Sequence, residues 1–317
     1  MVAKHPLTSP LNGGFRYRGR ADSGAAPCRV IDYLAGRYRH SSADQWRLRL
    51  ERGQIEVDGA IANAGTMLRR GQLLVWHRPP WREPPAPLSF AVLHLDDDLV
   101  AVAKPSGLPT VPAGGFLEHT LLARVRRRYP DAAPAHRLGR GTSGIVLFAR
   151  SRRARAGLAA AWRGNRVGKL YRALVSGVPA ADGFTIDAPI GPVPCRRLGT
   201  VHASRPDGRP SLSRVRVIER RGGSALVEVE IESGRPHQIR IHLAAAGYPL
   251  LGDPFFGPGG RPADAGGALP GDTGYALHAM RLRFAHPADG REMTIECLPP
   301  PALRARQGRP GSAIQSR

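Results

Sequence analysis

Apolar residues change their spacing several times along the 317-residue chain. From Arg29 they fall at helical intervals, at Val30, Ile31, Leu34 and Tyr38, which predicts a short helix. Ser41 and Ser42 offer an N-cap for a second helix carrying Trp46, Leu48 and Leu50. Residues 53–59, Gly-Gln-Ile-Glu-Val-Asp-Gly, then alternate and end in an Asp-Gly turn, which predicts a strand. Asn63-Ala-Gly65 is a second turn, and Leu68-Arg-Arg-Gly-Gln72 leads into a strand from Leu73 to Trp76.

Five prolines between Pro79 and Pro87 break the pattern and predict an extended linker. Beyond it, Phe90–Leu95 and Leu99–Ala103 form a predicted hairpin around Asp96-Asp97-Asp98. Those acids read as a solvated turn and not a metal site, because neighbouring side chains on an extended chain point apart. Leu121–Tyr129 is a short basic helix stopped by Pro130; its arginines form either a stripe for RNA backbone or a solvated face. A small apolar strand runs from Ile145 to Ala149, and Ser151 caps a helix through about Arg163, closed by Gly164-Asn165. Residues 167–177 alternate again, with Lys169, Tyr171 and Ala173 on one face. Leu212–Glu219 and Ala225–Glu232 make a second hairpin, and Gln238–Ala246 a helix ended by Gly247.

The expected organisation is a basic flexible tail at 1–27, a small α/β domain at 28–78, a Pro-rich linker at 79–88, a larger domain at 89–300 and a basic tail at 301–317. Hydrophobic residues make up 42% and charged residues 23%, as in soluble globular proteins. No run approaches the roughly 18 apolar residues of a membrane span, and the polar start has no secretory h-region. Cys28, Cys195 and Cys297 lie far apart, with no C-x-x-C pair, which disfavours a zinc knuckle or a disulfide framework. The histidines show no metal-ligand spacing. A reducing cytoplasm fits this usage.

The formal net charge of +22 is almost all Arg, since the only lysines are Lys4, Lys104 and Lys169. Such a balance points to a polyanionic partner, nucleic acid first; a bias of genome composition gives the same count. Arg offers a planar fork for phosphate and a face for stacking on bases.

The candidate chemistry centres on His136-Arg-Leu-Gly-Arg-Gly-Thr-Ser-Gly144. A loop dense in Arg, Gly, Thr and Ser that enters a buried strand suits the grip of a phosphate or sugar. It resembles the His-Arg-Leu-Asp-x-x-Thr-Ser-Gly loop of the RluA family of RNA pseudouridine synthases. Further segments resemble the same family in order: Lys104-Pro-Ser-Gly-Leu108, the 169–177 strand, Gly234-Arg-Pro-His-Gln-Ile-Arg-Ile-His-Leu243, Leu251-Gly-Asp253, and the closing Leu277-His-Ala279 with Phe284-Ala-His-Pro287. The resemblance covers roughly residues 90–300. The two predicted helices and the small strands before Pro79 resemble the S-four type of RNA-binding domain.

The resemblance implies an α+β fold: a mainly antiparallel mixed-sheet catalytic domain with flanking helices, preceded by the S-four-like domain. It implies isomerisation of uridine to pseudouridine in ribosomal or transfer RNA, by a monomer that needs no cofactor and no metal and touches no membrane. The target base must leave its stack at a cost of a few kcal/mol, and Arg137 is the implied side chain that takes its place. Tyr171 would lie on the flipped base and handle the proton at its C5. Arg240 would pair with the catalytic carboxylate. His136, Thr142, Ser143, Lys169, Arg235, His237 and Gln238 would line the RNA and base site, and Arg47, Arg69, Arg70, Arg126 and Arg127 would meet RNA backbone.

Three residues depart from the pattern: Ala103 where the family often has Asn, Pro236 where it has Thr, and, with most consequence, Gly139. Where the family has its catalytic Asp, this chain has Gly139. Gly139 carries no group that can attack, and Arg240 is left without the partner the pattern assigns it. Three accounts follow: a synthase that draws on a carboxylate or water from elsewhere, with Glu118, Asp131 and Asp253 as the carboxylates nearby in sequence or motif; an RNA-binding protein that keeps the pocket without turnover; or a branch of the family with a changed mechanism or target. An altered residue at 139 gives the same pattern.

Overall fold

The computed structural model describes residues 10–22, 27–262 and 267–306. The chain divides into two compact units, Met1–Glu83 and Pro84–Arg317.

In the first unit, Leu73–Arg78 pairs antiparallel with both Phe15–Arg20 and Ile55–Val57, and Ile55–Val57 also pairs with Ala60–Ile61. The Asp-Gly turn predicted after Val57 has the left-handed backbone a tight hairpin needs, with φ of 49° at Asp58 and 85° at Gly59. The helices Val30–Arg37 and Ala43–Glu51 are those the periodicity predicts. Ser42 and Gln45 cap the second helix reciprocally, each side chain bonded to the other's backbone. Val30, Leu34, Trp46, Leu50, Ile55, Leu68 and Leu74 form the core between helices and sheet.

Two boundaries are corrected here. Residues 15–20 of the expected tail are a paired strand. Its period of two is Phe15, Tyr17 and Gly19 against Arg16, Arg18 and Arg20, and the arginines disguise it as a basic tail. Tyr17 stacks on Trp76 of the neighbouring strand with ring centres 5.1 Å apart. Likewise the start of the expected linker belongs to the first unit: Asn12 Nδ2 donates to Glu83 Oε1 at 2.7 Å, and Trp81 N donates to Asn12 Oδ1 at 3.0 Å. Of the two expected tails, 1–9, 23–26 and 307–317 lie outside the described residues, while Pro301–Leu303 of the second is a short 3-10 turn with Leu303 buried.

Among the described residues the second unit builds a ten-stranded sheet. Its main path runs Gly183–Ile186, Ser213–Arg221, Ser224–Ile231, Gly168–Ser176, Leu277–Ala285, Ser143–Ala149, Leu99–Lys104 and Ala91–Leu95. Every pairing is antiparallel except that of Ser143–Ala149 with Leu277–Ala285. The fold is α+β and mainly antiparallel, as expected.

Both faces of this sheet are covered. Val146, Phe148, Tyr171, Ala173 and Ala279 pack with Leu121 and Val125 of the helix Leu121–Arg126 and with Ile239 and Leu243 of Gln238–Ala245. Ile145, Leu147 and Ala149 pack on the other side with Ala154 and Leu158 of the helix Arg152–Arg163. Strand alternation thus sends even-numbered residues of 143–149 to one face and odd-numbered residues to the other. A second hairpin, Ile190–Cys195 with Gly199–Ser204, was not foreseen. Its prolines at 192 and 194 read as a loop, and its pairing in a sheet of two strands leaves them the free edges that proline tolerates.

Candidate active site

The loop 136–144 is held by its neighbours and not by its own sequence. Lys104 ends the strand before it and is buried. Its Nζ donates to the carbonyls of Pro105, Leu108 and Arg140 at 2.9, 2.7 and 3.2 Å. Burial pushes the ammonium down to a pKa of about 7. Ser106 Oγ donates to the Gly141 carbonyl at 2.7 Å, and Thr110 Oγ1 donates to Leu138 O at 2.9 Å. The segment 104–110 therefore clamps the loop at residues 138, 140 and 141.

The loop's far end is fixed by a close backbone approach. A Cβ on Gly144 would lie 2.2 Å from the Ala279 carbonyl oxygen, and its φ is +111°, so only glycine fits. Ala279 also pairs with Tyr171. Gly144 and Tyr171 are thus brought to either side of one residue, on adjacent strands. The register shift between Leu170 and Tyr171 leaves Met280 as the extra residue on the partner strand, while Tyr171 keeps its place in the regular alternation of its own strand. The Tyr171 side chain is buried, and that burial pushes its phenol up to about 12. It is a neutral donor at physiological pH.

Arg240 projects from the helix Gln238–Ala245. Its Nε and Nη2 each meet Asp253 at 2.7 Å, and Nη1 donates to the Pro270 carbonyl at 2.5 Å. The two side chains are 3% and 1% exposed. The guanidinium also lies 4.3 Å from the ring centre of Tyr275 and 4.9 Å from that of Phe256. This corrects one expectation: Gly139 does not leave Arg240 without a partner, because Asp253 supplies the carboxylate. Asp253 in turn is closed off as a nucleophile. Its Oδ1 accepts from Arg240, Phe255 N and Phe256 N, and its Oδ2 from Arg240.

Gly139 is exposed. The space its side chain would enter is bordered by Tyr275 Oη, 3.1 Å from an ideal Cβ, and Thr142 Oγ1, at 3.7 Å. The loop that carries Tyr275 is tied to both walls of the cleft. Pro270 takes Arg240, while Gly271 O and Asp272 Oδ1 take Arg140, at 3.0 and 3.4 Å.

The remaining expected residues divide. Arg137 is exposed, and its charge, with those of Arg240 and His202, bears on His237. Burial, then Arg240, His202 and Arg137, bring the His237 imidazole down to about 4. His237 begins the helix with a left-handed φ of 58°, its Nδ1 3.5 Å from Arg240 Nη1. Thr142 is buried against Tyr275. Arg137, Thr142, His237 and Arg240 gather around Gly139 or its walls, and Tyr171 belongs to the core cluster that also holds Leu138 and Tyr275.

Others expected to line the base site are used elsewhere. His136 Nε2 accepts from Leu147 N at 3.1 Å, and its ring stacks 4.9 Å from Trp162. Ser143, an odd-numbered position, is turned to the opposite face, where its hydroxyl lies 2.9 Å from His278 Nδ1. His278 Nε2 is 3.1 Å from the Cys297 carbonyl, which can only accept; Nδ1 is therefore the acceptor and Ser143 the donor. Gln238 is buried with both ends engaged: Oε1 accepts from Ser233 Oγ and Arg235 N, and Nε2 donates to Leu212 O and Ser213 Oγ. Arg235 Nη2 reaches Pro210 O at 3.3 Å, and Lys169 Nζ donates to Glu232 O at 3.0 Å. Each of these five side chains has a bonding partner within the protein.

The expected backbone contacts lie at the surface. Arg69 and Arg70 are exposed, and Arg47 is paired with Asp44. Arg126 and Arg127 are exposed in the second unit, with Arg126 Nε on Ala132 O and Arg127 3.9 Å from Glu118. Tyr275 and the clamping role of Lys104 were missed. Lys104 stood in a recognisable Lys-Pro-x-Gly-Leu segment, but Tyr275 has no local signal. Among the described residues no cluster of three His, Cys, Asp or Glu could hold a metal ion, and no helix is long and apolar enough to cross a membrane.

Residues 98–245 match the family model described as RNA pseudouridylate synthase. An uncharacterized RNA pseudouridine synthase of Synechocystis sp. is 42% identical over 276 residues, covering 86% of this chain and 95% of its own. RNA pseudouridine synthase 5 of Arabidopsis thaliana is 36% identical, over 93% of this chain and 95% of its own. Ribosomal large subunit pseudouridine synthase D of Pseudomonas aeruginosa is 33% identical, over 77% and 80%. Among solved structures, human RNA Pseudouridylate Synthase Domain Containing 1 shares the fold, with a TM-score of 0.56 and 24% identity over 70% of this chain and 89% of its own. The clamped loop, Tyr171 and the buried Arg240 thus sit on the scaffold these relatives share, and the chain belongs to the RNA pseudouridine synthases, of the RluA type.

Proposed function

We propose that this protein isomerises uridine to pseudouridine in ribosomal or transfer RNA, without cofactor or metal, in the cleft between the loop 136–144 and the helix Gln238–Ala245. The observation that carries the reading is convergence. Tyr171, Arg240 and Gly139 come from a strand, a helix and a loop far apart in sequence, yet the sheet register and the 270–275 loop join them. The P. aeruginosa relative's name speaks of the ribosomal large subunit, which favours ribosomal RNA.

The reaction breaks C1′–N1 and C5–H and forms C1′–C5 and N1–H, so the proton lost at C5 is balanced by the one gained at N1. Exposed Arg137 is suited to stack in the place the flipped uridine vacates. Tyr171, neutral and buried in the sheet, presents a hydroxyl to the base and manages the C5 proton. The Arg240–Asp253 pair is net neutral and fixes the inner wall of the site, while exposed Arg137 carries the positive charge toward RNA. The first unit, S-four-like in its order of helices and strands, adds RNA contacts through Arg47, Arg69 and Arg70; residues 10–83 hold thirteen Arg against seven Asp and Glu. Arg126 and Arg127 extend this to the second unit.

Nucleoside mass spectrometry of unmodified ribosomal and transfer RNA transcripts, after incubation with the purified protein, tests the proposal. Pseudouridine is the expected product. RNA affinity should fall on the order of 10³-fold between 50 and 200 mM salt if several phosphates are neutralised. The exposed Gly139 favours a second reading, an RNA-binding protein without turnover. Binding with that salt dependence but no pseudouridine from any transcript would select it.

A further inference from the structure

Resting on the synthase reading, we infer that Tyr275 is a catalytic residue of this chain, its hydroxyl supplying the oxygen that the missing side chain at Gly139 does not. Three observations place the phenol there. Tyr275 Oη lies 3.1 Å from the position a Cβ on Gly139 would take, so it borders the space a side chain at 139 would enter. The ring crosses Gly141 so closely that a Cβ there would meet its Cζ at 2.8 Å and Cε1 at 2.9 Å; two glycines, 139 and 141, make one slot for one ring. The ring's orientation is set by the Arg240 guanidinium, 4.3 Å from its centre, and by Thr142 Oγ1, 3.3 Å from Oη.

The carboxylates nearby do not compete for this place. Asp253 has both oxygens engaged by Arg240 and two backbone amides. Asp272 takes Arg140 on one oxygen and Leu269 N on the other, at 3.4 and 2.8 Å. Either hydroxyl can donate in the Thr142–Tyr275 contact; with the phenol as donor, both Tyr275 lone pairs are left for the substrate, and with Thr142 as donor one is. As C1′–N1 breaks, positive charge grows on the ribose at C1′ and its ring oxygen. A fixed oxygen lone pair beside that carbon stabilises the charge without reorganising. No bond to Tyr275 is required: the electron pair of C1′–N1 leaves with the uracil ring and returns from C5.

Tyr275→Phe removes the hydroxyl and keeps the ring against Gly141 and Arg240. Single-turnover pseudouridine formation at saturating transcript should fall about 100-fold or more, while the dissociation constant for the same RNA, by filter binding, stays within twofold. Gly139→Asp placed in the Tyr275→Phe chain should recover at least tenfold, since the vacated space accepts the carboxylate. Gly139→Asp alone, crowded by the phenol, should not exceed the natural rate. If Tyr275→Phe does not fold, Thr142→Val reads the same geometry by releasing the hydroxyl, with a loss of about tenfold expected. A Tyr275→Phe rate within threefold of the natural one overturns the inference and leaves the synthase reading standing, as does a loss of rate wholly matched by lost RNA affinity. No product from the natural chain on any transcript removes the synthase reading, and the role of Tyr275 with it.

Discussion

Lys104 gives the clamp on the active-site loop a pH signature. Its ammonium is buried, surrounded by the carbonyls of Pro105, Leu108 and Arg140, and burial lowers its pKa from 10.5 to about 7. The unfolded chain therefore holds this proton up to about pH 10.5 and the folded chain only up to about 7. Between those values the unfolded state binds more protons, so stability rises with pH; below 7 the penalty is constant, and above 10.5 it is gone. From pH 7 to pH 9.5 this one group should add about 3 kcal/mol. Lys104→Met removes the titration. The variant also strips donors from buried carbonyls, at about 1–3 kcal/mol each, so its lower midpoint is not the test. The test is the difference between the two proteins' pH slopes, in which all other titrating groups cancel. Urea unfolding at pH 7 and 9.5 measures it, with equal m-values as the check. Curves that run parallel to within about 0.5 kcal/mol would show that the ammonium is solvated and that the loop is not held through a buried charge.

Three further outcomes are expected. Asp253→Asn leaves the Arg240 charge buried without its anion and should cost about 3–5 kcal/mol in thermal unfolding; a loss below about 1 kcal/mol would mean that the pair is not desolvated. Gly144→Ala drives a Cβ into the Ala279 backbone at a left-handed φ, and should cost about 3 kcal/mol or more while speeding amide exchange in Leu277–Ala285; unchanged exchange there would refute the close approach. Tyr171→Phe should lower pseudouridine formation roughly 10²–10⁴-fold with RNA affinity unchanged, and a natural rate would take Tyr171 out of the chemistry.

Much of the second unit was legible because its signals are local. Ser151 before Arg152–Arg163 and Gly164 after it mark a helix within one turn of chain. Alternation in 168–176 marks which residues are buried. The same locality explains what was misread. Phe15–Arg20 looked like a tail because its arginines hide a period of two that only the pairing with Leu73–Arg78 reveals. His136, Ser143 and Gln238 stood in the matching motifs, yet a motif does not say which partners a side chain takes within the fold. Ser143 sits one residue from Gly144, and that single step in a strand puts it on the opposite face.

The sequence by itself determined the family, the α+β class, the basic character and the two glycines that open the loop, because each is written in neighbouring residues or in a count. Only the tertiary structure decided the partners. Asp253 reaches Arg240 across 13 residues, Lys104 reaches Arg140 across 36, and Tyr275 reaches Thr142 across 133. Contacts at such separations depend on strand register and loop packing, which no local pattern encodes. They determine that Arg240 is paired, that the loop is clamped, and that a phenol stands where the chain has no carboxylate.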